Sequence, residues 1–156
     1  MKKIVMVLLL GLGLVQAEER SAQVVYDLTT KDLKTFERKI LKGIVANKAH
    51  YESELKELDV TVVIHGGGYR FFTVDPGKTE YKNDKALLKE YKSLATRIKS
   101  MSDTYDVEFL ICRAGMGKHG LKKKDIVSFV KIIPNSTIGL IDRQNEGYAY
   151  IPVGDK

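Results

Sequence analysis

The chain has 156 residues, 44% hydrophobic and 29% charged, with 26 Lys+Arg against 20 Asp+Glu for a formal charge of +6. That length holds one domain, and the composition is globular, which excludes a disordered or collagen-like chain. One cysteine and no tryptophan exclude a disulfide-stapled scaffold.

The N-terminus reads as a secretory signal. Met1-Lys2-Lys3 is a short basic start, Ile4 to Val15 is apolar apart from its glycines, and Val15-Gln16-Ala17 sets small residues where a signal peptidase cuts. The apolar stretch falls short of the ~20 residues that a spanning helix needs. We therefore expect a signal peptide over residues 1–17 and a single domain over residues 18–156. The mature protein is expected to be periplasmic or secreted, meeting a membrane only through this segment if it stays uncleaved. Processing removes Lys2 and Lys3, and the remaining charge is modest and scattered, which argues against a nucleic-acid partner. The densest basic run is Lys118 to Lys124. Its Lys122-Lys123-Lys124 core reads as a solvated face or as a docking patch for an acidic partner.

The predicted elements alternate. Ala22 to Leu28 is short, β-branched and aromatic, a strand, with Thr29-Thr30 placed to cap a helix. Leu33, Phe36, Ile40, Leu41 and Ile44 recur at helical spacing, so a helix runs from about 31 to 46 or beyond. Leu58 to Ile64 is a nearly continuous apolar run, which suits a strand buried on both faces of a parallel sheet. His65-Gly66-Gly67-Gly68 ends it, and the stretch to Tyr81 reads as irregular, with Asp75-Pro76-Gly77 a turn. Asn83 can cap the next helix, whose core stripe is Leu87, Tyr91, Leu94, Ile98 and Met101. Val107 to Cys112 is the third strand, and Gly115, Gly117 and Gly120 punctuate the loop after it. Asp125 to Val130 is a short helix or turn, Lys131 to Ile133 a short strand, and Thr137 to Glu146 a helix with Gly147 at its C-terminal cap. Tyr148 to Val153 is the last strand, and Pro152, lacking an N–H, places it at an edge or a strand end. Such alternation implies an α/β layered domain with a mostly parallel sheet, and ligands of such sheets bind beyond the carboxyl ends of the strands.

Two loops lie there. One offers His65, Gly66 and Gly67. The other offers Cys112, Arg113, Gly115, Lys118 and His119. Cys112 ends its strand, and the thiolate is the reactive species of a cysteine. Arg113, Lys118 and His119 would favour that form, and the glycines would let backbone N–H groups approach an anion. Equally, a free cysteine is among the most buried residue types, so Cys112 also reads as a small core hydrophobe. His65 reads either as the hydrogen-bonded end of a tight strand exit or as a proton donor and acceptor beside Cys112. No Gly-x-Ser-x-Gly elbow accompanies the His-Gly-Gly-Gly run, and its glycines lack dinucleotide-fold spacing. His50, His65 and His119 show no ligand-pair spacing, so no metal is expected. Tyr148 and Tyr150 read as strand packing. Exposed sheet edges, with Phe71 and Phe72 in a loop, call for cover by another subunit.

Several segments together resemble one family. Leu58-Asp-Val-Thr-Val-Val-Ile-His-Gly-Gly-Gly68 resembles the second-strand motif of the DsrE/DsrF-like sulfur-relay proteins. Val107-Glu-Phe-Leu-Ile-Cys112 resembles their strand ending in cysteine, and Ile132-Ile-Pro with Gly147-Tyr-Ala-Tyr-Ile151 resembles their closing segment. The resemblance implies a three-layer α/β/α fold with a five-stranded, mostly parallel sheet and homo- or hetero-oligomers; no cofactor is expected. It also implies sulfur donor and acceptor proteins as partners, with Cys112 carrying sulfur as a persulfide. On this reading the chain is an exported sulfurtransferase or sulfur carrier, with Arg113, Lys118, Gly66, Gly67 and Gly115 holding an anion and His65 moving a proton. The alternative is a non-catalytic subunit that binds a small anion or a protein and uses Cys112 structurally.

Overall fold

Val60, Val62 and Ile64 would meet water on one side of an exposed sheet, and Thr61 and Val63 on the other. Placing their strand, β2 (Leu58–Ile64), at the centre buries every residue of it except Asp59. The computed structural model describes residues 21–155. The signal segment expected over residues 1–17 lies outside them. β1 (Ala22–Leu28) and β3 (Val107–Cys112) flank β2, and β4 (Lys131–Ile133) and β5 (Ala149–Val153) form the edges. The order is β4-β3-β2-β1-β5, and every pair is parallel. The strands lie where the sequence pattern sets them, apart from Tyr148, which precedes β5. Pro152 does lie on an edge strand.

Helices cover both faces. The connection from β1 to β2 is one long helical run: α1 (Leu33–Phe36), a wider π-helical stretch over Glu37–Lys42, and α2 (Gly43–Ser53). It ends well past residue 46, and Phe36, Ile40, Leu41 and Ile44 are all buried against the sheet. Its cap is Asp32, whose carboxylate accepts from the Thr35 N–H at 2.7 Å. Thr29 and Thr30, the expected caps, instead donate their N–H groups to the Val153 carbonyl at 3.0 and 2.9 Å. They extend the pairing of β1 with β5 and so delay the helix. α3 (Lys85–Asp103) lies on the same face and buries Leu87, Leu94, Ile98 and Met101. Asn83 closes the preceding turn, and Asp84 caps α3, accepting from the Leu87 N–H at 3.0 Å and pairing with Arg70. On the opposite face α5 (Ser136–Asn145) packs Leu140 toward Val25, Val63 and Leu110.

The stretch after β2 is more ordered than its glycines imply. It folds into consecutive 3-10 turns over Gly66–Phe72, Pro76–Lys78 and Glu80–Asn83. Phe71 and Phe72, expected to need cover from another subunit, are buried within the chain itself. Phe71 stacks on Phe36 with ring centroids 4.2 Å apart, and Phe72 meets Phe36 edge-on and Phe109 at 5.2 Å. Glycine makes this possible, because a Cβ on Gly67 would lie 2.6 Å from the Lys31 nitrogen.

Glu108 ties the α5 face together. It accepts from Lys131 at 2.6 Å and from Arg143 of α5, and the Thr61 hydroxyl donates to it at 3.3 Å. Burial pushes its carboxyl up, but these partners outweigh burial and hold it below the ordinary glutamate range. A depressed carboxyl stabilises the fold above its unfolded pKa of about 4.3, and the contribution is lost as pH falls through the folded value. Glu108→Gln should therefore cost about 1–3 kcal/mol at neutral pH. Urea titrations of both proteins should show the gap closing below about pH 4. A gap that is constant from pH 7 to pH 3 would refute the assignment.

Candidate active site

The carboxyl ends of β1, β2 and β3 meet at one edge of the sheet. Ile64 is registered with Ile111 and with Leu28. His65 and Cys112, each one residue further on, therefore stand at the same level of neighbouring strands, whose spacing is about 4.8 Å. Thus the sheet brings His65 to the same edge as Cys112.

Cys112 is 5% exposed and caps α4 (Arg113–Met116), a single turn that continues through Gly117–His119. The Tyr69 hydroxyl, itself buried, donates to the Cys112 carbonyl at 2.6 Å. The turn is pinned from the other side as well, because the Ala114 N–H donates to the Pro134 carbonyl at 3.2 Å. That bond brings the start of α5 alongside, where Asn135 caps the helix by accepting from the Ile138 N–H at 2.9 Å. Burial pushes the Cys112 thiol up. The polar groups around it, among them the Gly115 and Ser136 amides and the Ser136 hydroxyl, work against burial, and the thiol is held below the ordinary cysteine range. Gly115 must be glycine, since a Cβ there would run into the Tyr69 hydroxyl.

The thiolate is thus favoured by neutral donors rather than by the expected cations. Arg113 and Lys118 are exposed, and neither is among the groups that move the thiol. Arg113 lines a shallow groove with Val130 and Lys131. Lys123 and Lys124 border an adjoining open groove of about 850 Å³, whose floor includes Val74, Ile126 and Phe129. His119 packs on the Tyr69 ring with centroids 4.9 Å apart and pairs with Glu80. It buttresses the tyrosine.

On the other side of His65 stands Asp27 of β1. His65 Nε2 lies 2.6 Å from one Asp27 carboxylate oxygen, and the Tyr150 hydroxyl of β5 donates to the other at 2.6 Å. Burial pushes the Asp27 carboxyl up, and these two hydrogen bonds with the nearby imidazole bring it below the usual aspartate range. Among the described residues no hydrogen bond joins His65 to Cys112; the imidazole is drawn toward β1. Gly66 and Gly67 follow the same side. The Gly67 N–H donates to the Thr29 carbonyl at 2.9 Å and is not free to hold an anion.

Sequence reasoning missed Tyr69, Ser136, Asp27 and Tyr150. Asp27 left a signal, the lone carboxylate in an otherwise apolar or aromatic strand core. Tyr69 and Ser136 left none, because only the fold sets them beside residue 112.

Comparison with known proteins adds the lineage. The model of the DsrE/DsrF-like family matches residues 24–153. The chain belongs to the DsrE/DsrF-like family. The match spans all five strands and both loops of the site, in keeping with the segments that carried the resemblance. An uncharacterized protein of Aquifex aeolicus (strain VF5) is 34% identical over 59 residues, which are 38% of this chain and 26% of that protein. The chain therefore matches only about a quarter of that relative's length. A solved structure of a protein of unknown function from Methanobacterium thermoautotrophicum has the same fold, with a TM-score of 0.58 and 20% identity. The likeness covers 85% of this chain and 99% of that one. For this DsrE/DsrF-like chain, the five-stranded parallel sheet expected from sequence is the sheet observed.

Proposed function

We propose that this DsrE/DsrF-like protein carries sulfane sulfur on Cys112. The observation that supports the reading is the place of the chain's one cysteine at the carboxyl edge of the sheet, where the Gly115 and Ser136 amides and the Ser136 hydroxyl favour its thiolate. Loading is an exchange without net oxidation: the Cys112 thiolate attacks the outer sulfur of a donor persulfide R′–S–SH. The new bond gives Cys112–S–SH, the donor S–S bond breaks, and R′–S⁻ leaves. Gly115 and Ser136 favour the thiolate before attack and again when Cys112 becomes the leaving group. A low-pKa leaving thiolate departs faster, so one set of donors serves both directions.

The second reading, a binding subunit with a structural cysteine, draws support from the burial of Cys112. One experiment separates the two. Wild type and Cys112→Ser are incubated with glutathione persulfide, and intact masses are read before and after dithiothreitol. Sulfur carriage predicts one added sulfur on wild type, its loss on reduction, none on the variant, and stability within about 1 kcal/mol of wild type. An adduct that survives dithiothreitol is oxidation to the sulfinic acid instead. An unloaded wild type, with a variant destabilised by roughly 1–3 kcal/mol, would establish the binding reading.

We further propose that the mature chain is exported and self-associates. The basic start, apolar run and Val15-Gln16-Ala17 site support export. Tyr150 and Ile151 on edge strand β5 and Ile138 and Ile141 on α5, 37–50% exposed, support self-association. N-terminal sequencing of the native protein should begin at or near Glu18, and its sedimentation at micromolar concentration should give a dimer or larger. A retained Met1 or a clean monomer would count against the respective part.

A further inference from the structure

The Asp27, His65 and Tyr150 contacts join three strands, β1, β2 and β5, at the same edge as Cys112, yet none of them touches the cysteine. An ionised carboxylate has no proton to donate. The short Asp27–His65 bond therefore requires the imidazole proton to sit on Nε2, which leaves Nδ1 as a bare acceptor whenever the ring is neutral. Tyr150 occupies the other carboxylate oxygen, so Asp27 is held from both sides. The His65 side chain keeps 28% of its surface exposed and that of Asp27 only 14%. The carboxylate is the sheltered anchor, and the ring is the part that solvent or an incoming group can reach.

In the transfer step Cys112 already carries the persulfide and has no thiol proton of its own to lose. The group that needs a base is the acceptor thiol, which must lose its proton before it can attack. We propose that Asp27 is a positioning residue that fixes His65 in the tautomer with Nδ1 free, and that His65 is the general base for the acceptor thiol. The inference rests on the persulfide reading of Cys112. The step balances as R–SH + Cys112–S–SH + His65 → R–S–SH + Cys112–S⁻ + His65–H⁺. The acceptor proton goes to Nδ1, R–S⁻ bonds to the outer sulfur, and the Cys112 S–S bond breaks with its electron pair leaving on Sγ. No external oxidant or reductant takes part.

Two measurements on the full chain test this. The first is the ¹⁵N spectrum of the His65 imidazole in wild type and Asp27→Ala. Wild type should show a protonated Nε2 and a bare Nδ1 in the neutral ring, and the variant should move toward the mixture of free histidine. A wild-type ring protonated on Nδ1 overturns the proposal, and this readout does not depend on sulfur loading. The second is single-turnover transfer from persulfide-loaded protein to two acceptors. One is 2-mercaptoethanol, which is protonated at neutral pH. The other is thionitrobenzoate, which is already ionised there and needs no base. Asp27→Ala and His65→Ala should slow transfer to mercaptoethanol about tenfold or more and leave transfer to thionitrobenzoate near the wild-type rate. Equal slowing with both acceptors overturns the base assignment and makes the cluster structural. A wild-type Cys112 that takes up no sulfur overturns the carrier reading and the transfer step with it, while the ¹⁵N result still decides whether Asp27 sets the tautomer.

Discussion

Five strands running the same way must end on one edge, and the register of β2 with β1 and β3 decides what meets there. Ile64 pairs with Leu28 on one side and Ile111 on the other, so the next residue of β2 stands between the end of β1 and the end of β3. A slip of one residue in β2 would turn His65 to the opposite face and separate it from Asp27. The apolar run of β2 prevents that slip. Both faces of the strand are buried, and α5 and the α1–α2 run each require their own set of side chains.

A second layer of order comes from Tyr69. It is buried beneath the turn that follows β3 and bonds that turn through the Cys112 carbonyl. The glycines around it are close-contact positions rather than hinges. Gly67 lets the 66–72 turn lie against Lys31, and Gly115 makes room for the Tyr69 hydroxyl. The His-Gly-Gly-Gly run, which reads from sequence as an anion-holding loop, is thus a device for seating Tyr69, Phe71 and Phe72. The aromatic cluster then carries the mouth of the sheet on a packed base.

The strands were legible because their signal is local: β-branched and apolar runs bounded by Gly, Pro and polar residues. The stripe of α3 was legible for the same reason. Caps were less so, since the choice between Asn83 and Asp84, or between Thr30 and Asp32, depends on whether the earlier residue is already held by another element. The carboxyl-end rule points to the loops of Cys112 and His65, and the sheet does set both residues at that edge. Their partners were not found, because Tyr69 lies 43 positions from Cys112, and Tyr150 lies 123 from Asp27. Such distances are bridged only by the topology. For the same reason, charge next to Cys112 in sequence, at Arg113 and Lys118, was a poor guide to the field at its sulfur.

Sulfur carriage at the edge of the sheet needs a Cys112 thiol that ionises below the ordinary cysteine range despite its burial. The most direct test is the rate of alkylation of the folded protein by iodoacetamide as a function of pH, with Ser136→Ala measured beside wild type. The wild-type rate should reach half its plateau below the ordinary cysteine value of about 8.5, and loss of the Ser136 hydroxyl should shift that midpoint upward. A wild-type midpoint at or above that value, or a thiol that reacts only once the protein is unfolded, would contradict the account.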